Sequence, residues 1–188
     1  AKVQAWRAAG IFPAFSAGNS GPTCGSIGSP GDYQESFASG MHNSSGTIDS
    51  DSSRGPSAFG HDPYTKPNIA APGVAVCSSI PTDNWTCGYS GTSMASPHSA
   101  GAVALLWSCN PTLIGDMTTT FELLQDNAGT APAGNCSAPP DGEGNYTYGY
   151  GYLDVYQAGL TTCTTAATGT LEGYVYDDGM NPLEGAAV

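Results

Sequence analysis

Gly91-Thr92-Ser93-Met94-Ala95-Ser96-Pro97-His98, continued by Ser99-Ala100-Gly101, is the stretch on which the reading of this chain turns. A reactive serine asks three things of its backbone. It needs a tight approach, which Gly91 permits by lacking a Cβ. It should open a helix, so that free N–H groups and the dipole face developing negative charge. That helix should then run into the core and hold the serine still. Ala100, Val103, Ala104, Leu106 and Trp107 recur at helical spacing between Met94 and Trp107. Pro97 is expected in the first turn, where its missing N–H costs nothing. Two other readings of Ser93 compete. One is a helix N-cap, a common position for serine. The other is the nucleophile elbow of an α/β-hydrolase, which needs glycine where Ala95 stands and an acid and a histidine further on. Only His98 follows, five residues away on the same helix.

Taken together, these residues resemble the active-site serine segment of the subtilases, the subtilisin-like serine proteases, with Ser93 as nucleophile. Ser99 stands where the family usually has valine. Ser16-Ala17-Gly18-Asn19-Ser20-Gly21-Pro22 resembles a second subtilase signature. The resemblance makes Asn19 a side-chain N–H donor to the oxyanion and makes Ser16, Ala17 and Gly18 a wall of the primary specificity pocket. Acyl transfer puts negative charge on a carbonyl oxygen, so fixed donors are what the chemistry requires. By itself, Gly-Asn-Ser-Gly is equally a turn. Ser52 to Ser57 and Lys66 to Val74 match two further family landmarks, which bear on fold rather than chemistry.

Other segments extend the resemblance. Gly149 to Ala158 is similar to the close of the family's catalytic domain, and its tyrosines are expected to pack a loop against the last helix. Ser29-Pro30-Gly31-Asp32-Tyr33 resembles a turn where the family can hold a cation on backbone carbonyls. Structural calcium at Gly31 and Tyr33 is therefore an expectation, while no cofactor is required and no side-chain metal site is assigned. Asp49-Ser50-Asp51-Ser52 fails as a calcium loop, because Arg54 and Gly60 occupy the glycine and acid positions. Pro111 to Ala128 carries Leu113, Met117, Phe121 and Leu124 at helical spacing and is read as a surface helix.

Composition narrows the function. Sixteen acidic against four basic residues leave a net charge of −12. That argues against nucleic acid and anionic membranes as partners. No stretch approaches the ~18 apolar residues of a membrane span. Six cysteines, at 24, 77, 87, 109, 136 and 163, include no C-x-x-C motif. An even number fits disulfides in an oxidising compartment, with reduced thiols as the alternative. Cys77–Cys87 is the one pairing proposed, since it closes a short loop before Ser93. Sequons begin at Asn43, Asn84, Asn135 and Asn145, as chance allows in a Ser/Thr-rich chain.

The expected organisation is a partial catalytic domain over 1–160, a Thr/Ala-rich linker over 161–170, and over 171–188 the start of a module resembling a carboxypeptidase-regulatory-like β-sandwich. The resemblance implies an α/β fold, the C-terminal portion of a mainly parallel sheet flanked by helices. Nothing before Ser93 resembles the family's Asp-Thr/Ser-Gly or His-Gly-Thr motifs, and His42 and His61 read as solvated loop residues. The chain is thus expected to be part of an extracellular serine endopeptidase acting on polypeptides, inactive alone, with its own N-terminal half or further copies of itself as partners. The rival expectation is a non-catalytic secreted fragment that associates through an exposed sheet edge.

Overall fold

The computed structural model describes residues 2–57, 64–136 and 143–163. The linker beyond 163, the β-sandwich segment and His61 lie outside the described residues.

A parallel sheet with helices packed on it positions everything else. Helix α1, Lys2–Ala8, runs into Gly10, which takes φ 77 and ends the helix. Strand β1 is Ala14–Ser16, starting just past Pro13. Pro13 cannot donate to a ladder, but its carbonyl accepts from Phe37 N–H at 2.9 Å. β2, Phe37–His42, is buried along five of its six residues, and β3 is Ile69–Pro72. The order is β1-β2-β3. All pairs are parallel, with Phe15 opposite Ala38 and Gly40 opposite Ala70. Residues 150–153 extend the sheet, since Ala70 N–H donates to Gly151 O and Leu153 N–H to Ala70 O.

After β3 comes an antiparallel hairpin, β4 (Val76–Ile80) and β5 (Asn84–Tyr89), closed by the expected Cys77–Cys87 disulfide. The remaining cysteines pair as Cys24–Cys136 and Cys109–Cys163. Helix α2, Thr92–Cys109, packs across β1, β2 and β3. Its buried face is Thr92, Ala95, Ser99, Ala102, Val103 and Leu106. The expected face is therefore rotated, and Ala100 and Ala104 lie exposed among the described residues. Ser99, replacing the usual valine, is fully buried and shares a 2.7 Å hydrogen bond with the Ser39 hydroxyl of β2.

The expected Pro111 to Ala128 helix is broken. Pro111–Leu113 forms a 3-10 turn, Gly115 takes φ 86, and α3 is Met117–Asp126. The Asp116 carboxylate caps α3 through Thr119 N–H. Leu113, Met117, Phe121 and Leu124 still bury together with Phe37, Ile69, Val103 and Leu106. Phe37 and Phe121 meet edge to face at 5.0 Å. The last helix, α4, is Val155–Thr162. Since Cys163 is bonded to Cys109, the first residues of the expected linker belong to the folded unit.

The tyrosines near 150 pack, but on a different partner from the expected helix. Tyr152 OH donates to Gly46 O at 2.6 Å and Tyr148 OH accepts from Ile48 N–H, so both fasten the loop after β2. His42 corrects its own expectation. It ends β2, half-buried, with its ring 5.1 Å from Tyr152, so it is no solvated loop residue. In the 49–54 turn, Asp49 O accepts from Arg54 Nη2, and Arg54 is 3% exposed.

Candidate active site

The start of α2 and the end of β1 form the site. Gly91 precedes the helix with φ 156 and ψ 157, a region that is essentially glycine-only. Ser93 is the second helical residue, so it is not the N-cap. Gly91 holds that position and offers no side chain for it. The cap comes from another segment. Asn19, three residues past β1, accepts at Oδ1 from Thr92 N–H at 3.0 Å and from the Thr92 hydroxyl at 2.9 Å. Thr92 Oγ1 in turn accepts from Gly18 N–H at 3.1 Å. Thr92 is fully buried and fastens the 18–19 segment to the helix.

Two donors at Oδ1 fix the orientation of the Asn19 amide, which leaves Nδ2 facing the other way. A Cβ on Gly91 would lie 3.5 Å from Asn19 Nδ2 and 3.7 Å from Ser93 N. The two N–H groups therefore border one small space, kept open by the missing side chain of Gly91. Of the first N–H groups of α2, Thr92's goes to Asn19 and Met94's to Gly91 O. No acceptor among the described residues takes the N–H of Ser93, as expected for a helix terminus.

Pro97 departs from expectation. It is the sixth helical residue rather than a first-turn one. Its absent N–H therefore removes the intrahelical bond to the Ser93 carbonyl.

Ser93 is exposed and lines a cleft of about 300 Å³ with Val76, Cys77, Ser78, Met94, Pro97 and His98. The stapled hairpin is thus one wall. His98 Nδ1 is bound to Met94 O at 2.8 Å, and no bond between His98 and Ser93 exists among the described residues. His42 lies on β2, and burial holds its pKa below the ordinary histidine value.

Ser16 ends β1, and Ala17 and Gly18 follow it toward Asn19. Ala17 is fully buried, its N–H bonded to Ser39 O and its O to Gly28 N–H. Gly18 has φ 108 and its O accepts from Ser53 N–H. Sequence reasoning missed Thr92 and the hairpin wall. A small hydroxyl residue placed between Gly91 and Ser93 was the available signal for the first.

A parallel sheet, a glycine-led helix carrying an exposed serine, and a carboxamide locked beside that serine define a protein of the subtilisin-like hydrolase class. The Subtilase family model matches residues 1–151, and this chain belongs to that family. It is 39% identical to Bacillopeptidase F of Bacillus subtilis strain 168 across 94% of this chain and 12% of that protein. Serine protease AprX of the same strain is 36% identical over 60% of this chain and 29% of its own length. Among solved structures, Sphericase superposes with a TM-score of 0.68 at 28% identity, covering 81% of this chain and 51% of Sphericase. The S41 psychrophilic protease gives 0.67 at 32%, with the same coverage. The chain thus spans about half of these solved proteases and far less of the curated relatives.

Proposed function

We propose that this chain carries the nucleophile and oxyanion half of a secreted serine endopeptidase. Ser93 Oγ attacks the scissile carbonyl carbon of a polypeptide and gives up its proton to a base. The carbonyl oxygen becomes an oxyanion held by Ser93 N–H and Asn19 Nδ2, and collapse expels the amine to leave an acyl-enzyme on Ser93. Ser16, Ala17 and Gly18 line the pocket for the side chain preceding the cut. The observation that carries this reading is the locked Asn19 amide, whose free Nδ2 borders the same space as Ser93 N–H.

No histidine among the described residues is hydrogen-bonded to Ser93, so in this reading the base and its orienting acid lie outside them. Without them the triad loses most of its effect, since its members act as a unit. This 188-residue chain alone is therefore inactive. Three disulfides support an oxidising, extracellular setting. No described helix is long and apolar enough to cross a membrane.

A second reading is a non-catalytic piece that pairs with copies of itself, favoured by the open edge of β1 beside the exposed Trp6 and Ile11. A fluorophosphonate probe separates the two. The natural full-length protein should be labelled at Ser93, and Ser93→Ala should abolish labelling. An unlabelled full-length protein would leave the non-catalytic reading. Labelling of the 188-residue chain alone would refute its inactivity.

A further inference from the structure

Lys66 is one of the most deeply buried side chains, at 1% exposure. A lysine so placed must find oxygen partners. Nζ donates to Ser36 O at 2.5 Å and to Asn68 Oδ1 at 2.9 Å. Asn68 Oδ1 also accepts from Ala38 N–H at 2.7 Å, which ties the ammonium to β2. Asp32 is fully buried nearby. Its Oδ2 accepts from the Ser57 hydroxyl at 3.4 Å, while its Oδ1 and Ser36 Oγ find no partner among the described residues. Burial pulls the Lys66 pKa down to about 7, and the charges of Asp32 and Glu35 oppose that pull.

Oxygens gathered at a tight turn are what a hard cation selects. Here the turn is 28–36, where a calcium ion was expected on Gly31 and Tyr33. The donor set does not fit one. Tyr33 O already accepts from Ser36 N–H at 3.1 Å, and Ser36 O is held by the ammonium. A divalent ion would stand beside a fixed positive charge. We infer that the Lys66 ammonium is itself the cation of this turn, a tethered charge on Ser36 O and Asn68 Oδ1 that takes the place of a metal ion.

The effect reaches the pocket wall, because Gly28 N–H donates to Ala17 O and a Cβ on Gly31 would lie 2.6 Å from Ser16 O. The inference stands whether or not Ser93 is a nucleophile.

It is tested on the natural full-length protein at pH 6, where Lys66 is charged, by melting temperature against CaCl2 at constant ionic strength. Comparison with the native chain removes the contribution of any other calcium site. Lys66→Ala leaves a vacant set of oxygens and should gain a saturable calcium-dependent rise of a few degrees that the native protein lacks. Lys66→Met fills the volume without charge and should be destabilised with no such gain. Equal calcium responses in the native protein and Lys66→Ala would overturn the inference. If Lys66→Ala does not fold, crystals of the native protein grown with terbium decide. An anomalous peak among the carbonyls of Gly31, Tyr33 and Ser36 overturns the inference, and Nζ density on Ser36 O without a peak supports it.

Discussion

Thr92 and Asn19 are tied twice, through the backbone N–H and the hydroxyl of Thr92, both donating to Asn19 Oδ1. One oxygen thus caps α2 and orients its own amide. Asn19→Leu removes the Nδ2 donor and the cap together. Activity of the full-length protein should fall mainly in kcat, with KM nearly unchanged, because the donor acts on charge present only in the transition state. The loss should be about 10²–10³, a magnitude carried over from removal of the corresponding donor in subtilisin. An unchanged kcat would remove Asn19 from the oxyanion site.

Thr92 should behave as a positioning residue. Thr92→Val keeps the shape but gives up the hydroxyl bonds to Asn19 Oδ1 and from Gly18 N–H. With only the backbone N–H left on Asn19 Oδ1, the amide is held less firmly, so kcat falls while KM holds. Thr92→Ser restores both bonds and most of the rate. If Thr92→Ser is as slow as Thr92→Val, packing of the methyl group, and not the hydroxyl, is what the site requires.

The fold was legible where residues carry local geometry. Gly91 and the apolar residues of α2 announce a glycine-led helix, and the cysteine spacing brought Cys77 and Cys87 together. The site was legible in part, since Ser93 and Asn19 stand in recognisable segments. What stayed hidden depends on contacts far apart in sequence. Nothing local says that Ser99 faces Ser39, that Lys66 reaches Ser36 O, or that His42 packs on Tyr152. Periodicity also misplaced the buried face of α2, because alanines fill both its sides and pattern alone cannot choose between them. Gly115 was passed over as a helix break, since the apolar spacing continues across it.

Ser99 and Ser39 yield a prediction against the family pattern. Ser99→Val installs the usual family residue but strands the Ser39 hydroxyl in a fully buried place. An unpaired buried hydroxyl costs about 1–3 kcal/mol, so thermal or urea unfolding should show loss of that size. Adding Ser39→Ala removes the stranded group and should recover much of it. A double variant as unstable as Ser99→Val would show that volume, and not the hydroxyl pair, sets the cost.

The Cys77–Cys87 staple should act locally. β4 and β5 form a two-stranded ribbon that is mostly exposed. Such a ribbon is marginal without help. Closing a loop with a sequence separation of 10 is worth about 3 kcal/mol in the chain-entropy picture. Replacing both cysteines by alanine should speed amide exchange across 76–89 and leave β2 and β3 protected. Because this hairpin walls the Ser93 cleft, KM should rise. Unchanged exchange in the hairpin would show that packing alone holds it.

His42 supplies the pH dependence. Burial lowers its folded pKa below the ordinary value of 6.5, with the neighbouring His98 pushing the same way and the bond to Asn43 O opposing. The unfolded chain therefore binds a proton at a higher pH than the folded one. Stability from this residue is intact above about pH 6.5 and declines as pH falls through the window down to the folded pKa. Below that value the ring is charged in both states and the contribution is gone. His42→Phe keeps an aromatic ring against Tyr152, 5.1 Å away in the native structure, and cannot titrate. Its melting temperature should thus fall less steeply than that of the native protein as pH drops below about 6.5. Parallel curves through that window would mean that His42 keeps an unperturbed pKa and that the acid loss arises elsewhere.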